Sequence, residues 1–147
     1  MASPHSASDD VRGPAPHPDR ELRFIFDEAA ELYRQARPTY PLELIDDLIR
    51  EASLRPGARI LELGAGPGTA SVLFAGRGYR LLCLEPGARL AEIAKRRLAS
   101  DADVKVAVTT FEEWPLEPEP FDLLFAAQSF HWIDPGVRFS KAARALG

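Results

Sequence analysis

Three glycines stand within five positions of the stretch ILELGAGPGTA, residues 60–70. Gly64, Gly66 and Gly68 directly follow an apolar run, with a carboxylate, Glu62, just ahead of them. Main chain without side chains turns sharply and lets a ligand come close, and a helix opening behind it offers unpaired N–H groups and the positive end of its dipole. A second carboxylate, Glu85, ends the next apolar run, LLCLEP, about twenty residues further on. At that distance an acidic side chain can accept both hydroxyl hydrogens of a ribose. The two features together point to a nucleoside ligand. The histidines His5, His17 and His131 are too scattered to join Cys83 at a metal-ligand spacing, so no metal site is expected.

The elements that must carry these residues follow from periodicity. From Arg20 onward Leu22, Phe26, Ala29, Ala30 and Tyr33 recur at helical spacing, and RPTYP stops that helix. Pro41 suits the first turn of a second helix with an apolar stripe of Leu44, Ile45, Leu48 and Ile49. Strands are expected over 58–63 and 80–85, with helices over 68–77 and from Ala88 to about Ala99. Val104, Val106 and Val108 alternate with Lys105 and Ala107 as a third strand, and FDLLFAA is apolar enough for a fourth, buried on both sides. Asp134 and Pro135 fit the N-cap and first turn of a last helix through Val137, Phe139, Ala143 and Leu146. Strand and helix alternate four times, which predicts an α/β domain: a Rossmann-like, open, mostly parallel sheet with helices on both faces. In such sheets ligands lie beyond the carboxyl ends of the strands, where the glycines fall.

Composition bounds the rest. A chain of 147 residues with 46% hydrophobic content fits one domain, predicted over 20–147, behind a disordered tail over 1–19 that is rich in Pro, Ser, Ala and Asp. The net charge of −4 offers no basic footprint for nucleic acid, and no run approaches the length of a membrane span. The tail lacks a cationic start and an apolar core, and one cysteine cannot form an internal disulfide, so a cytoplasmic protein acting on small molecules is expected.

Nucleotide dehydrogenases share the glycine and carboxylate logic, but their fingerprint is G-x-G-x-x-G at the first unit of the domain. Here the spacing is G-x-G-x-G behind Glu62, with two predicted helices ahead of it. In this order the sequence resembles the class I S-adenosylmethionine-dependent methyltransferases, in the small-molecule branch with the E/D-x-G-x-G-x-G signature, of the methyltransferase type 11 kind. FDEAAELYRQARPTYP looks like that branch's leading segment, ILELGAGPGTAS its first motif and CLEP its second. VTTFEEWPL stands where these enzymes border adenine, and FDLLFAAQSFHWID resembles their fourth strand and the start of the acceptor pocket.

The resemblance implies S-adenosylmethionine as cofactor and a small-molecule methyl acceptor as partner. It places Gly64 and Gly66 close to the methionyl part, counts Ala65 and Gly68 among the cofactor-binding residues, and puts Glu62 beneath that loop, Glu85 on the ribose hydroxyls and Pro86 against adenine. Thr110, Phe111 and Glu112 would edge the adenine, although the family often has an aspartate where Thr110 stands. Gln128 would lie near the cofactor's amino group through its carbonyl. Tyr33 and Arg37, four apart on the leading helix, would close over the cofactor, the arginine on its carboxylate. His131 is the candidate base, against the alternative of an aromatic wall made with Trp132. KAARALG resembles the helix that leads into the family's fifth strand, so the chain is expected to lack the last strands of the fold. An incomplete enzyme is one reading of that, and a cofactor-binding remnant without turnover is the other.

Overall fold

The computed structural model describes residues 39–147 together with Ile25, Ala29, Ala30 and Leu32. The expected tail over 1–19 and the pair Tyr33 and Arg37 lie outside the described residues. Four strands, β1 (Arg59–Leu63), β2 (Arg80–Leu84), β3 (Val104–Ala107) and β4 (Leu123–Phe125), form one sheet in the order β3-β2-β1-β4. All three pairings are parallel, and helices lie between β1 and β2 and between β2 and β3. Among residues 39–147 the helices are α1 (Leu42–Glu51), α2 (Ser71–Phe74), α3 (Ala88–Arg97) and α4 (Arg138–Leu146), with a 3-10 turn at Phe130–Trp132.

Central β1 is covered on both faces, so that Ile60, Leu61 and Leu63 are buried, and so is the carboxylate of Glu62. Ile60 joins Leu81, Cys83, Phe74, Tyr79 and Ile45 on one side, while Leu61 and Leu63 join Leu84, Phe111, Trp114, Phe121, Ile133 and Ala145 on the other. The predicted α/β architecture with helices on both faces is therefore the observed one. At the amino end of β1, Arg59 fastens the Glu- and Pro-rich loop before β4. Its guanidinium pairs with Glu117, donates to the carbonyls of Glu119 and Pro120, and stacks 4.2 Å over the Phe121 ring. Its own N–H donates to the Asp122 carboxylate at 2.7 Å, which sets β4 in register beside β1.

Several elements are shorter or differently turned than their periodicity suggests. The helix expected over 68–77 is only the single turn α2, because Ala75 is extended and Gly76 takes a left-handed φ of +72°. β4 covers three residues of FDLLFAA, and all three are half-buried, because no strand lies on its far side among the described residues. In α1, Pro41 precedes the first turn in an extended conformation; Ile45 is buried but Leu44, one step round the helix, is exposed. Asp134 is not the cap of α4. Its carboxylate accepts from Gly136 N–H at 2.8 Å, a local turn that leads to Val137 as the capping residue. Small Ala142 and Ala145 then face the sheet, leaving Phe139 and Leu146 exposed.

Phe74 is 1% exposed and its ring centroid lies 5.0 Å from that of Phe125, so it joins α2 to β4 across the sheet. Phe74→Ala is expected to cost about 3 to 5 kcal/mol, read as a lower urea midpoint at unchanged slope.

Candidate functional site

Beyond the carboxyl end of β1 the chain runs through Gly64–Ala70 before α2 begins, and side chains from three elements hold that loop. The Gly64 and Ala65 N–H groups donate to Leu84 O at 2.8 and 3.1 Å, continuing the sheet into the turn. Glu85, 5% exposed, accepts from Gly66 N–H at 2.7 Å with one oxygen and from Gly87 N–H at 2.8 Å with the other. One carboxylate thus ties the glycine loop to the start of α3. From α3, Arg97 donates to Pro67 O at 3.0 Å, and Ser129, beyond β4, donates through its hydroxyl to Leu63 O. Gly64, at φ +66°, has no room for a side chain, since an added Cβ would lie 2.5 Å from Ser129 Cβ.

Under the loop lies a buried polar cluster. Glu62 is 1% exposed and accepts a hydrogen bond from the Ser71 hydroxyl; Cys83 Sγ lies 3.7 Å from the same oxygen and 3.5 Å from Ser71 Oγ. Burial pushes the Glu62 carboxyl up to about 7; bonds from Ser71 and Cys83 oppose that rise, and the charge of Glu85 adds to it. Burial, reinforced by the neighbouring Glu62 charge, also holds the Cys83 thiol far above the ordinary thiol range, so it is inert at neutral pH.

The strand ends border an open cleft. Glycine-loop residues Gly64, Ala65 and Gly66 line one side above Glu62; Glu85 and Pro86 line the next; Thr110, Phe111 and Glu112 form the opposite wall; Gln128 closes the end of β4. The 110–114 wall is a turn, closed by a bond from Trp114 N–H to Thr110 O at 3.0 Å. Thr110 Oγ1 accepts from Glu113 N–H at 3.2 Å and donates to the Glu113 carboxylate at 3.1 Å. Glu112 accepts from Asp134 N–H at 3.0 Å, and Lys141 of α4 donates to the carbonyls of Glu112 and Trp114 while lying 5.4 Å from the Phe111 ring centroid. Partial burial lowers the Lys141 proton affinity, with Arg144 adding and Glu112 opposing. The wall is therefore clamped from behind.

The predicted residues mostly converge on this cleft, with two departures. Gly68 does not line it: a Cβ there would meet Ala94 and Leu98 at 3.4 Å, so this glycine admits close packing of α3. His131 is exposed and outside the lining; its ring stands 4.5 Å from that of Trp132, and Trp132 with Ile133 faces the cleft instead. Gln128 lines the cleft in a left-handed backbone conformation at φ +62°. Ser71, Ser129, Tyr40 and Lys141 belong to the site or its supports without having been singled out in the sequence. The Thr110–Glu113 turn had a local signature, the Thr-x-x-Glu of TFEE, although no helix follows it. Among the described residues there is no group of three or more His, Cys, Asp or Glu placed to hold a metal ion.

With the fold and cleft in view, comparison with known proteins gives one answer. A family profile described as a methyltransferase domain matches residues 60–147. The chain belongs to that family, and its fold is that of the class I S-adenosylmethionine-dependent methyltransferases. An uncharacterized methyltransferase of Mycobacterium tuberculosis is 31% identical over 127 residues, covering 86% of this chain and 49% of that protein. The protein-L-isoaspartate O-methyltransferase of Methylorubrum populi is 40% identical over 82 residues, covering 54% of this chain and 38% of that protein. Among solved structures, Haemonchus contortus phosphoethanolamine N-methyltransferase 2 in complex with S-adenosyl-L-methionine has a TM-score of 0.71 at 24% identity, over 90% of this chain and 34% of that one. The chain spans about half the length of the mycobacterial relatives it matches.

Gly64→Ala is expected to destabilise the chain by about 1 to 3 kcal/mol, through left-handed strain and the clash with Ser129. The same change in a Ser129→Gly background recovers part of that loss in urea unfolding. For Glu62 the folded chain keeps a proton up to about pH 7 and the unfolded chain only to about 4.5. Its contribution to stability is therefore full below pH 4.5 and lost as pH rises through 7. Glu62→Gln should remove a decline on the order of 3 kcal/mol between about pH 5 and about pH 8, measured as the difference between the two proteins' unfolding free energies.

Proposed function

We propose that this chain binds S-adenosylmethionine in the cleft and serves transfer of its methyl group to a small-molecule acceptor in the cytoplasm. The observation that carries the reading is Glu85: a buried carboxylate at the end of β2, lining the cleft and already fastened to Gly66 and Gly87. A carboxylate oxygen accepts more than one hydrogen bond, so the group that orders the loop also suits a ribose diol. Pro86, Leu90 and Phe111 offer apolar surface for adenine beside it, and Gly64 and Gly66 leave space along the main chain for the methionyl part. Gln128 faces the same end of the cleft from β4. Membership of the methyltransferase-domain family supports the same assignment.

When bound, the cofactor supplies an electrophilic methyl group on a sulfonium sulfur that is itself a good leaving group. The work left to the protein is positioning and exclusion of water, worth on the order of 7 to 11 kcal/mol when donor and acceptor are well aligned. Trp132, Ile133 and Tyr40 line the cleft and would wall the acceptor side, with His131 outside it. A small acceptor is favoured by the acidic chain, with net charge −4. A solved structural neighbour holds phosphomonomethylethanolamine together with S-adenosylhomocysteine. The lone thiol, Cys83, is free and buried, which suits a reducing compartment.

Calorimetry of the full chain with S-adenosylmethionine and S-adenosylhomocysteine tests the assignment. Saturable binding is expected, weakened roughly ten- to hundredfold by Glu85→Ala; a nicotinamide dinucleotide binding in preference to both would overturn it. Transfer of labelled methyl to pooled small acids, phenols and amines tests turnover, with Trp132→Ala expected to lower it and His131→Ala to leave it within about threefold.

A further inference from the structure

Lys141 commits its ammonium to the main chain of the cleft wall, although it lies outside the cleft lining. From α4 its Nζ donates to Glu112 O at 2.9 Å and to Trp114 O, and it stands 5.4 and 5.9 Å from the ring centroids of Phe111 and Trp114. Those two rings are buried in the core and stack at 6.2 Å, which fixes how deep the turn sits. The direction its main chain faces is set differently. Two carbonyls aimed at one point repel each other unless a cation stands between them, and a neutral side chain of similar length leaves both oxygens without that partner. The lysine thus supplies the charge and the donors for the turn that carries Thr110, Phe111 and Glu112 into the cleft. The Glu112 carboxylate is itself held on Asp134 N–H at 3.0 Å, so the chain around the start of α4 grips the turn at two places.

We infer that Lys141 is a positioning residue for base recognition: by holding the Glu112 and Trp114 carbonyls it sets the wall against which the purine of the cofactor is read. That role rests on S-adenosylmethionine occupying the cleft. Lys141 acts through Phe111 and Glu112, which face the cleft where it does not. Purines of one shape are told apart at their hydrogen-bonding edge, where adenine carries an amine and hypoxanthine a carbonyl. Discrimination between the two needs donors and acceptors held in fixed places, because a wall free to shift can pair with either. A turn fastened from behind by a cation is held in that way.

Calorimetric titration of the full chain with S-adenosylhomocysteine and with S-inosylhomocysteine measures the discrimination as a ratio of affinities, which the folded fraction of a sample leaves unchanged. The unaltered chain should prefer the adenine compound by about tenfold or more. Lys141→Met should bring the ratio to within about threefold of unity, chiefly through weaker binding of the adenine compound. Lys141→Arg keeps the charge and the donors and should retain most of the preference. A lysine that only stabilises the fold would lower the urea midpoint of the methionine variant and leave its ratio alone, and that result overturns the inference. Equal loss in the arginine and methionine variants does so too, since it places the effect in packing. An unaltered chain that binds both compounds equally overturns it while the cofactor assignment stands. If the methionine variant does not fold, Lys141→Gln, which keeps an amide donor without the charge, carries the test, and an undiminished ratio in it again overturns the inference. If neither nucleoside binds the unaltered chain, the cofactor assignment itself fails and the role of Lys141 with it.

Discussion

One carboxylate sets the geometry from which the rest of the cleft follows. Glu85 receives Gly66 N–H and Gly87 N–H on its two oxygens, so the turns leaving β1 and β2 are locked to each other at the point where a ligand must sit. Both turns lack side chains at those positions, and without that fastening their backbone would have wide conformational freedom. Burial at 5% exposure makes the bonds strong and the group costly to leave unpartnered. The loop is thereby ordered before any ligand arrives, which spares binding much of its entropic cost.

The remaining supports form two layers that meet only through the sheet. On one side Glu62, Ser71 and Cys83 fill the space under the glycine loop. On the other, Lys141 and the Thr110–Glu113 turn hold the facing wall. At the opposite end of β1 the Arg59 cluster fixes β4 and the loop before it. Rigid strands thus carry a site composed almost wholly of turns, the division of labour usual in open α/β sheets.

Much of this was legible in the residues, for reasons that differ between elements. β1 and β2 announce themselves as apolar runs ended by glycines and by Glu85, and the strand and helix alternation admits few topologies other than a parallel sheet. Glu62, Gly64, Gly66, Pro86, Phe111 and Gln128 line the cleft because their places are tied to strand ends, which sequence fixes to within a residue or two. Helix ends were less legible. Gly76 stops α2 through a backbone conformation that periodicity does not register, and Asp134 spends its carboxylate on a turn when it might equally well have capped. His131 and Trp132 are adjacent and chemically plausible, and only the 3-10 turn decides which of them faces the cleft. Ser71, Ser129 and Lys141 act on residues 9, 66 and 29 positions away, a reach no local pattern encodes.

Gln128 adopts a left-handed backbone at φ +62°, a conformation costing roughly 1 to 2 kcal/mol for a residue with a side chain. Its neighbour Ser129 is bonded to Leu63 O, and Gly64 is packed against that serine with no slack. The unfavourable twist is thus maintained by the central strand. Anything that loosens the packing of β1 will be felt early at this joint, through a relaxed glutamine and a blurred cleft floor, so that ligand recognition here draws on the cohesion of the whole sheet.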